Sequence, residues 1–209
     1  MTLGADTECN VIRAGVSQEE KEEILRVHNT FRSKVAGGEE TRGQPGPQPP
    51  AANMKVLLWN DELATVAQAW ASQCLYEHDG VNKRKICSRD YDVGQNLYYL
   101  WDKNSVSNWA VAIEKWYEEV VKAASTSVSR FQGDQPDTAH YTQMIWGETR
   151  EVGCGAVYYT PFMGGVSRMY VCNYGPLGNI GGAPMYQKGP AATSCSSASP
   201  SIKYRKLCD

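Results

Sequence analysis

Seven cysteines scattered over 209 residues constrain this chain more than any other feature. They are Cys9, Cys74, Cys87, Cys154, Cys172, Cys195 and Cys208, and no two form a Cys-x-x-Cys pair. This spacing argues against a zinc knuckle or a thioredoxin-like motif and for a disulfide framework. Such frameworks belong to oxidising compartments. An odd count leaves one thiol over, or pairs it outside the chain. Residues 1–6 lack the apolar core of a signal peptide, so either the chain is cytosolic or its leader has been removed. The cysteines decide for a secreted, extracellular protein, although no Asn-x-Ser/Thr sequon adds support. The net charge of −2, with both signs interspersed, offers no field for nucleic acid or an anionic membrane. No apolar run approaches the roughly 18 residues of a membrane span. A hydrophobic share of 42% suffices for one substantial core.

Taken in order, Ser17 to Glu20 reads as a capping box. Ile24, Val27, Phe31 and Val35 then recur at helical spacing until Gly37-Gly38. Within that helix His28 and Arg32 share a face, and hydrogen bonds to neighbouring backbone are preferred over a ligand role. The Pro-rich stretch 44–50 is an extended surface crossing. One helix cannot form a domain alone, so it is not a linker. Asn60 caps a second helix with a stripe of Leu63, Val66, Ala67, Trp70 and Cys74, and His78 follows it. The run Tyr98-Tyr99-Leu100-Trp101 reads as a buried strand or an apolar flap. A third helix beginning near Ser105 carries Trp109, Ile113, Trp116, Tyr117 and Val120. Thr138 is the expected cap of a short helix through Trp146. Residues 152–159 and 168–174 read as a hairpin turning at 161–165, which Cys154–Cys172 can bridge. The last residues have no periodicity, and Cys195–Cys208 would tie down an otherwise loose tail.

Four stretches carry a resemblance. His140-Tyr141-Thr142-Gln143-Met144-Ile145-Trp146 and Tyr170-Val171-Cys172-Asn173-Tyr174-Gly175-Pro176-Leu177-Gly178-Asn179 look like the two signatures of the CAP superfamily. That superfamily joins cysteine-rich secretory proteins, antigen five and pathogenesis-related-one proteins. His28-Asn29-x-x-Arg32 and Gly94-Gln95-Asn96-Leu97 match its other patterns, in the right order, from about Gly15 to Tyr186. Residues 41–51 resemble insect venom allergens, and the Cys-bearing tail resembles nematode venom-allergen-like proteins. The resemblance implies an α+β fold: a three-layer α-β-α sandwich around a small, three-stranded antiparallel sheet. Residues 1–16 would be an N-terminal extension, 17–186 the CAP domain and 187–209 a disulfide-tied tail. The third strand is expected near residues 96–99. By analogy Cys9 joins Cys74, with Cys9–Cys87 as the alternative.

The family's cleft carries two histidines and two acids. Matched motif by motif, these positions are His78, His140, Glu119 and Gln95. An amide at Gln95 removes a charge and a good ligand, so His78 and His140 imply at most a weak, exchangeable zinc site. A hydrogen-bonded cluster without metal is the alternative. No Gly-x-Ser-x-Gly or His-Glu-x-x-His motif supports catalysis, so the chain is not expected to be an enzyme. A His140–Glu119 hydrolase ranks last. The resemblance implies instead that the chain carries a sterol or a fatty acid. Tyr98, Tyr99, Leu100 and Trp101 match the sterol loop, and Phe31, Val35, Ile113 and Trp116 match the lining of the fatty-acid site between two helices. Taken singly, each of these is more readily a core residue. A host or prey protein is the other expected partner, and the chain is expected to be a monomer or weak dimer.

Overall fold

The computed structural model describes residues 9–102, 108–133, 135–161, 164–196 and 199–209. Its centre is a sheet of four antiparallel strands in the order β1 (Asn10–Ala14), β4 (Glu151–Thr160), β5 (Val166–Gly175) and β3 (Gly94–Asp102). A two-residue strand, β2 (Leu58–Trp59), runs parallel to β4. Strand alternation sorts the side chains into two layers. From β5, Tyr170, Cys172 and Tyr174 join the larger core beneath helices α1 (Gln18–Ala36) and α3 (Trp109–Glu118). Met169 and Val171 point the other way, onto Ala67 and Ala71 of helix α2 (Asp61–Ala71). Helix on sheet on helix is the expected three-layer sandwich.

Local sequence explains these elements. Ser17 accepts from the Glu20 amide at 3.2 Å, and the Glu20 carboxylate accepts from Ser17 N at 2.7 Å. This box starts α1, and Gly37 ends it. Asn60 caps α2 by accepting from the amides of Glu62 and Leu63. Helix α2 lies against β4 because Gly153 and Gly155 carry no side chain. A Cβ at either would collide with the backbone of Asn60 and Ala64 or of Gln68.

Several expectations change. The sheet gains β1: residues 10–14, assigned by sequence to an extension, pair with β4. The third strand is longer than 96–99 and runs from Gly94 to Asp102. Helix α3 starts at Trp109 with Asn108 as its cap, whereas Ser105 lies outside the described residues, as do Phe162 and Met163 of the hairpin turn. Helix α4 is shorter than expected, Ala139–Met144. Disulfides join Cys9 to Cys74, Cys154 to Cys172 and Cys195 to Cys208, and Cys87 is free and exposed. The tail is not loose. Cys208 N donates to Met54 O at 2.8 Å, Val56 N donates to Cys208 O at 2.7 Å, and Leu207 is fully buried. No helix among the described residues is long and apolar enough to cross a membrane.

Candidate functional site

A cleft of about 470 Å³ opens where the two helical layers meet the start of β3. Gly94, Gln95 and Asn96 form its floor, the loop after α2 brings His78, and α4 brings His140. The structure therefore draws His78, Gln95 and His140 together, as the motifs imply. Glu119 stands directly behind His140. One of its oxygens contacts His140 Nδ1 at 2.6 Å.

The other Glu119 oxygen performs the task expected of Thr138. It accepts from the amides of His140 at 2.9 Å and Tyr141 at 3.1 Å, which caps α4. The Thr138 side chain makes no capping bond. Where α3 tightens into a 3-10 turn at Glu119–Lys122, its last carboxylate swings onto the neighbouring helix end. The far end of α4 is held by Arg32, which is completely buried. Its guanidinium donates to the carbonyls of Met144 (2.8 Å), Trp146 (2.9 Å), Thr149 (2.9 Å) and Lys55 (2.8 Å from Nε). Burial pushes its pKa down to about 9, opposed by the charges of Tyr174 and Glu148. Six residues are too few to sustain a helix on their own. An acid at one end and a cation at the other supply what the length cannot.

His78 is held differently. Its Nδ1 lies 2.9 Å from Gln95 Oε1, and Gln95 Nε2 donates to Asn173 Oδ1 at 3.1 Å. Asn173 faces Gln95 across the β3–β5 ladder, and its own Nδ2 has no partner among the described residues. Burial lowers the His78 pKa, aided by the charges of Arg84 and His140 and opposed by the Gln95 bond and Asp79. The ring is therefore neutral at physiological pH. The Gln95 amide oxygen can only accept, so neutral His78 carries its proton on Nδ1 and keeps the Nε2 lone pair, and the Glu119 carboxylate likewise accepts from His140 Nδ1.

A zinc ion fits this set poorly. Both Glu119 oxygens are engaged, and the Gln95 oxygen is turned to His78. Among the described residues no three His, Cys, Asp or Glu side chains come close enough to share a metal. Two imidazole nitrogens fall short of the three or four ligands of a protein zinc site. Nor do the described residues lining the cleft include a hydroxyl or thiol nucleophile. The Thr142 hydroxyl donates to Asn179 Oδ1 at 2.6 Å and lies 3.0 Å from Thr138 O.

The expected lipid residues lie elsewhere. Tyr98, Tyr99, Leu100 and Trp101 are not a loop: they pair in register with Tyr170, Met169, Arg168 and Ser167 of β5. The pleat splits them between the two faces of the sheet, so they cannot form one continuous flap. The Tyr98 ring packs beside Tyr170. The Tyr99 ring meets Tyr76 at 5.4 Å, and its hydroxyl lies 2.8 Å from Ser167 Oγ. Trp101 is 41% exposed. Phe31, Val35, Ile113 and Trp116 line the packed contact of α1 with α3. Phe31 stacks on Tyr117 at 3.9 Å, Val35 and Ile113 are sealed, and Trp116 Nε1 donates to Leu97 O at 2.8 Å. Sequence reasoning passed over Tyr76, Asn173 and the clamping role of Arg32. Only Tyr76 had a local signal, an aromatic side chain two residues before His78.

The model of the cysteine-rich secretory protein (CAP) family matches residues 25–174. The chain belongs to this family. It is 45% identical over 185 residues to venom allergen 5 of Vespula vidua, covering 85% of this chain and 84% of the relative. It is 46% identical over 187 residues to venom allergen 5 of Vespa mandarinia, covering 86% of each. Among solved structures it resembles NaASP2 with Zn2+ (TM-score 0.75, 30% identity, 93% of this chain and 97% of the other). It also resembles BmVAL-1 (TM-score 0.77, 28% identity, 92% and 95%). The zinc belongs to that structure of NaASP2. In this CAP chain Gln95 lines the cleft together with His78 and His140.

Proposed function

We propose that the protein is a secreted, venom-allergen-like carrier of small lipids that acts on a host or prey and is not an enzyme. One observation carries this reading: the half-open aromatic surface beyond the end of α2, where Tyr76 meets Tyr99 and exposed Trp101 follows two residues along β3. A sterol is flat and apolar with one hydroxyl. Here two tyrosine rings in contact and an exposed indole two residues along the same strand supply apolar surface, and the Tyr99 hydroxyl, held 2.8 Å from the buried Ser167 Oγ, is a polar group at its edge. A fatty acid between α1 and α3 requires the helices to part, because Val35, Ile113 and Trp116 are closed to solvent. We therefore rank sterol ahead of fatty acid.

Labelled cholesterol and palmitate titrated into purified protein test this. Trp101→Ala and Tyr99→Ala should each weaken cholesterol binding by about tenfold, the loss of on the order of 1.4 kcal/mol of apolar contact. If neither ligand saturates at micromolar protein, the carrier reading fails. The second reading, an effector that binds host receptors or immune cells, draws on the same exposed Trp101 and Tyr76. Lipid-free protein that still triggers host cells would favour it. Zinc, where it binds, is held weakly through His78 and His140. Calorimetry should show a shallow isotherm that His78→Ala/His140→Ala abolishes, and identical titrations would remove the site.

A further inference from the structure

We infer that a second copy of this chain docks on the outer face of α1, through the loop at residues 201–207. That loop is rigidly presented. Ser201 N donates to Leu207 O at 2.8 Å, Leu207 N donates to Tyr204 O at 2.7 Å, and the Cys195–Cys208 bridge closes its base. Tyr204 packs against the main core. The remaining tip points outward. Ile202 is 92% exposed, more than any other large apolar side chain described, and it sits beside exposed Lys203 and Arg205. This tethered turn offers a second copy one bare apolar side chain flanked by two cations.

Next to the tip lies a groove of about 500 Å³ along the first half of α1. Glu19, Glu22 and Glu23 outnumber Arg26 and Lys203 along it, so it is net acidic, and half-buried Leu25 gives it an apolar wall. Tip and groove are thus neighbours on one face and opposite in charge. A two-fold interface uses such an arrangement twice, the tip of each copy entering the groove of the other. Ile202 of one copy covers Leu25 of its partner, and Lys203 and Arg205 meet Glu22 and Glu23. An anionic membrane fits less well, because the glutamates beside the tip would face the same surface. The contacts are exposed and charged, so the association is weak and sensitive to salt.

Sedimentation velocity from about 10 µM to about 1 mM protein tests this, at ~20 mM and ~500 mM salt. The wild type should dimerise with concentration at low salt and fall apart at high salt. Lys203→Glu/Arg205→Glu and Glu22→Lys/Glu23→Lys should each be monomeric with an unchanged Tm. Mixed in equal amounts they should form a heterodimer, since both tip–groove contacts again join opposite charges. A wild type that stays monomeric, a charge-reversed variant that dimerises alone, or a mixture that stays monomeric overturns the proposal. Monomeric wild type that binds phosphatidylserine vesicles through Lys203 and Arg205 also overturns it and assigns the tip to a membrane.

Discussion

Removing the Glu119 carboxylate takes three hydrogen bonds from α4 at once, two from backbone amides and one from the His140 ring. Glu119→Ala should cost about 2–4 kcal/mol in urea unfolding, and Glu119→Gln less, because an amide oxygen still accepts from the helix amides. His28 makes a different prediction. Its Nδ1 faces Ile24 O at 2.8 Å and its Nε2 faces the Tyr174 hydroxyl at 2.9 Å, which suits a neutral ring. Complete burial pulls its pKa down to about 4. Above pH 6.5 folded and unfolded chains both hold the ring neutral, so its contribution is constant. Below that, the unfolded chain takes up a proton that the native chain refuses. Stability should fall by on the order of 3 kcal/mol between pH 6.5 and pH 4. Urea midpoints across that range should drop less steeply in His28→Gln, and an unchanged slope would remove His28 as the cause. At this scale the sequence made the cleft residues legible, because His140 and Gln95 lie inside dense local motifs. Asn173 was not legible as the partner of Gln95, because 78 residues separate them and only the strand register joins them.

At the scale of elements, capping signals read well and lengths did not. Ser17, Asn60 and Gly37 mark helix ends by local chemistry. The end of α4 escaped, because its caps come from α1 and α3. Arg32 donates to carbonyls 112 and 114 residues away, a pairing no window of sequence contains. Arg32→Met should therefore leave several buried carbonyls unpaired and cost roughly 3 kcal/mol or more. Amide exchange should rise first in residues 139–146, and a uniform rise over the whole chain would contradict this. Of the two readings of the aromatic run, the structure bears out the strand and not the flap, for a related reason. Four apolar residues in a row look like one patch, yet a pleated strand gives alternate ones to opposite faces. Gly155 offers an independent test of how α2 meets the sheet. Gly155→Ala pushes a methyl into the Gln68 backbone and should destabilise by about 1–3 kcal/mol.

Across the whole molecule the disulfides fasten ends to the middle: Cys9 ties β1 to the segment after α2, and Cys195–Cys208 closes the tail over residues 52–56. Replacing Cys195 and Cys208 with serine should cost about 2–3 kcal/mol and lower the Tm. Cys87→Ser should leave it unchanged, since that thiol is exposed and unpaired. The three-layer plan was legible from the four motifs taken together. The added strand β1 was not, because its side chains are all exposed and show no buried alternation. The clamp on α4 has one further consequence. Its two jaws belong to α1 and α3, the same pair of helices that a fatty acid would have to wedge apart. Prying them open drags Arg32 away from Glu119 and loosens the grip on His140. Occupancy between the helices and order in the cleft are then thermodynamically linked, each weakening the other by the same factor.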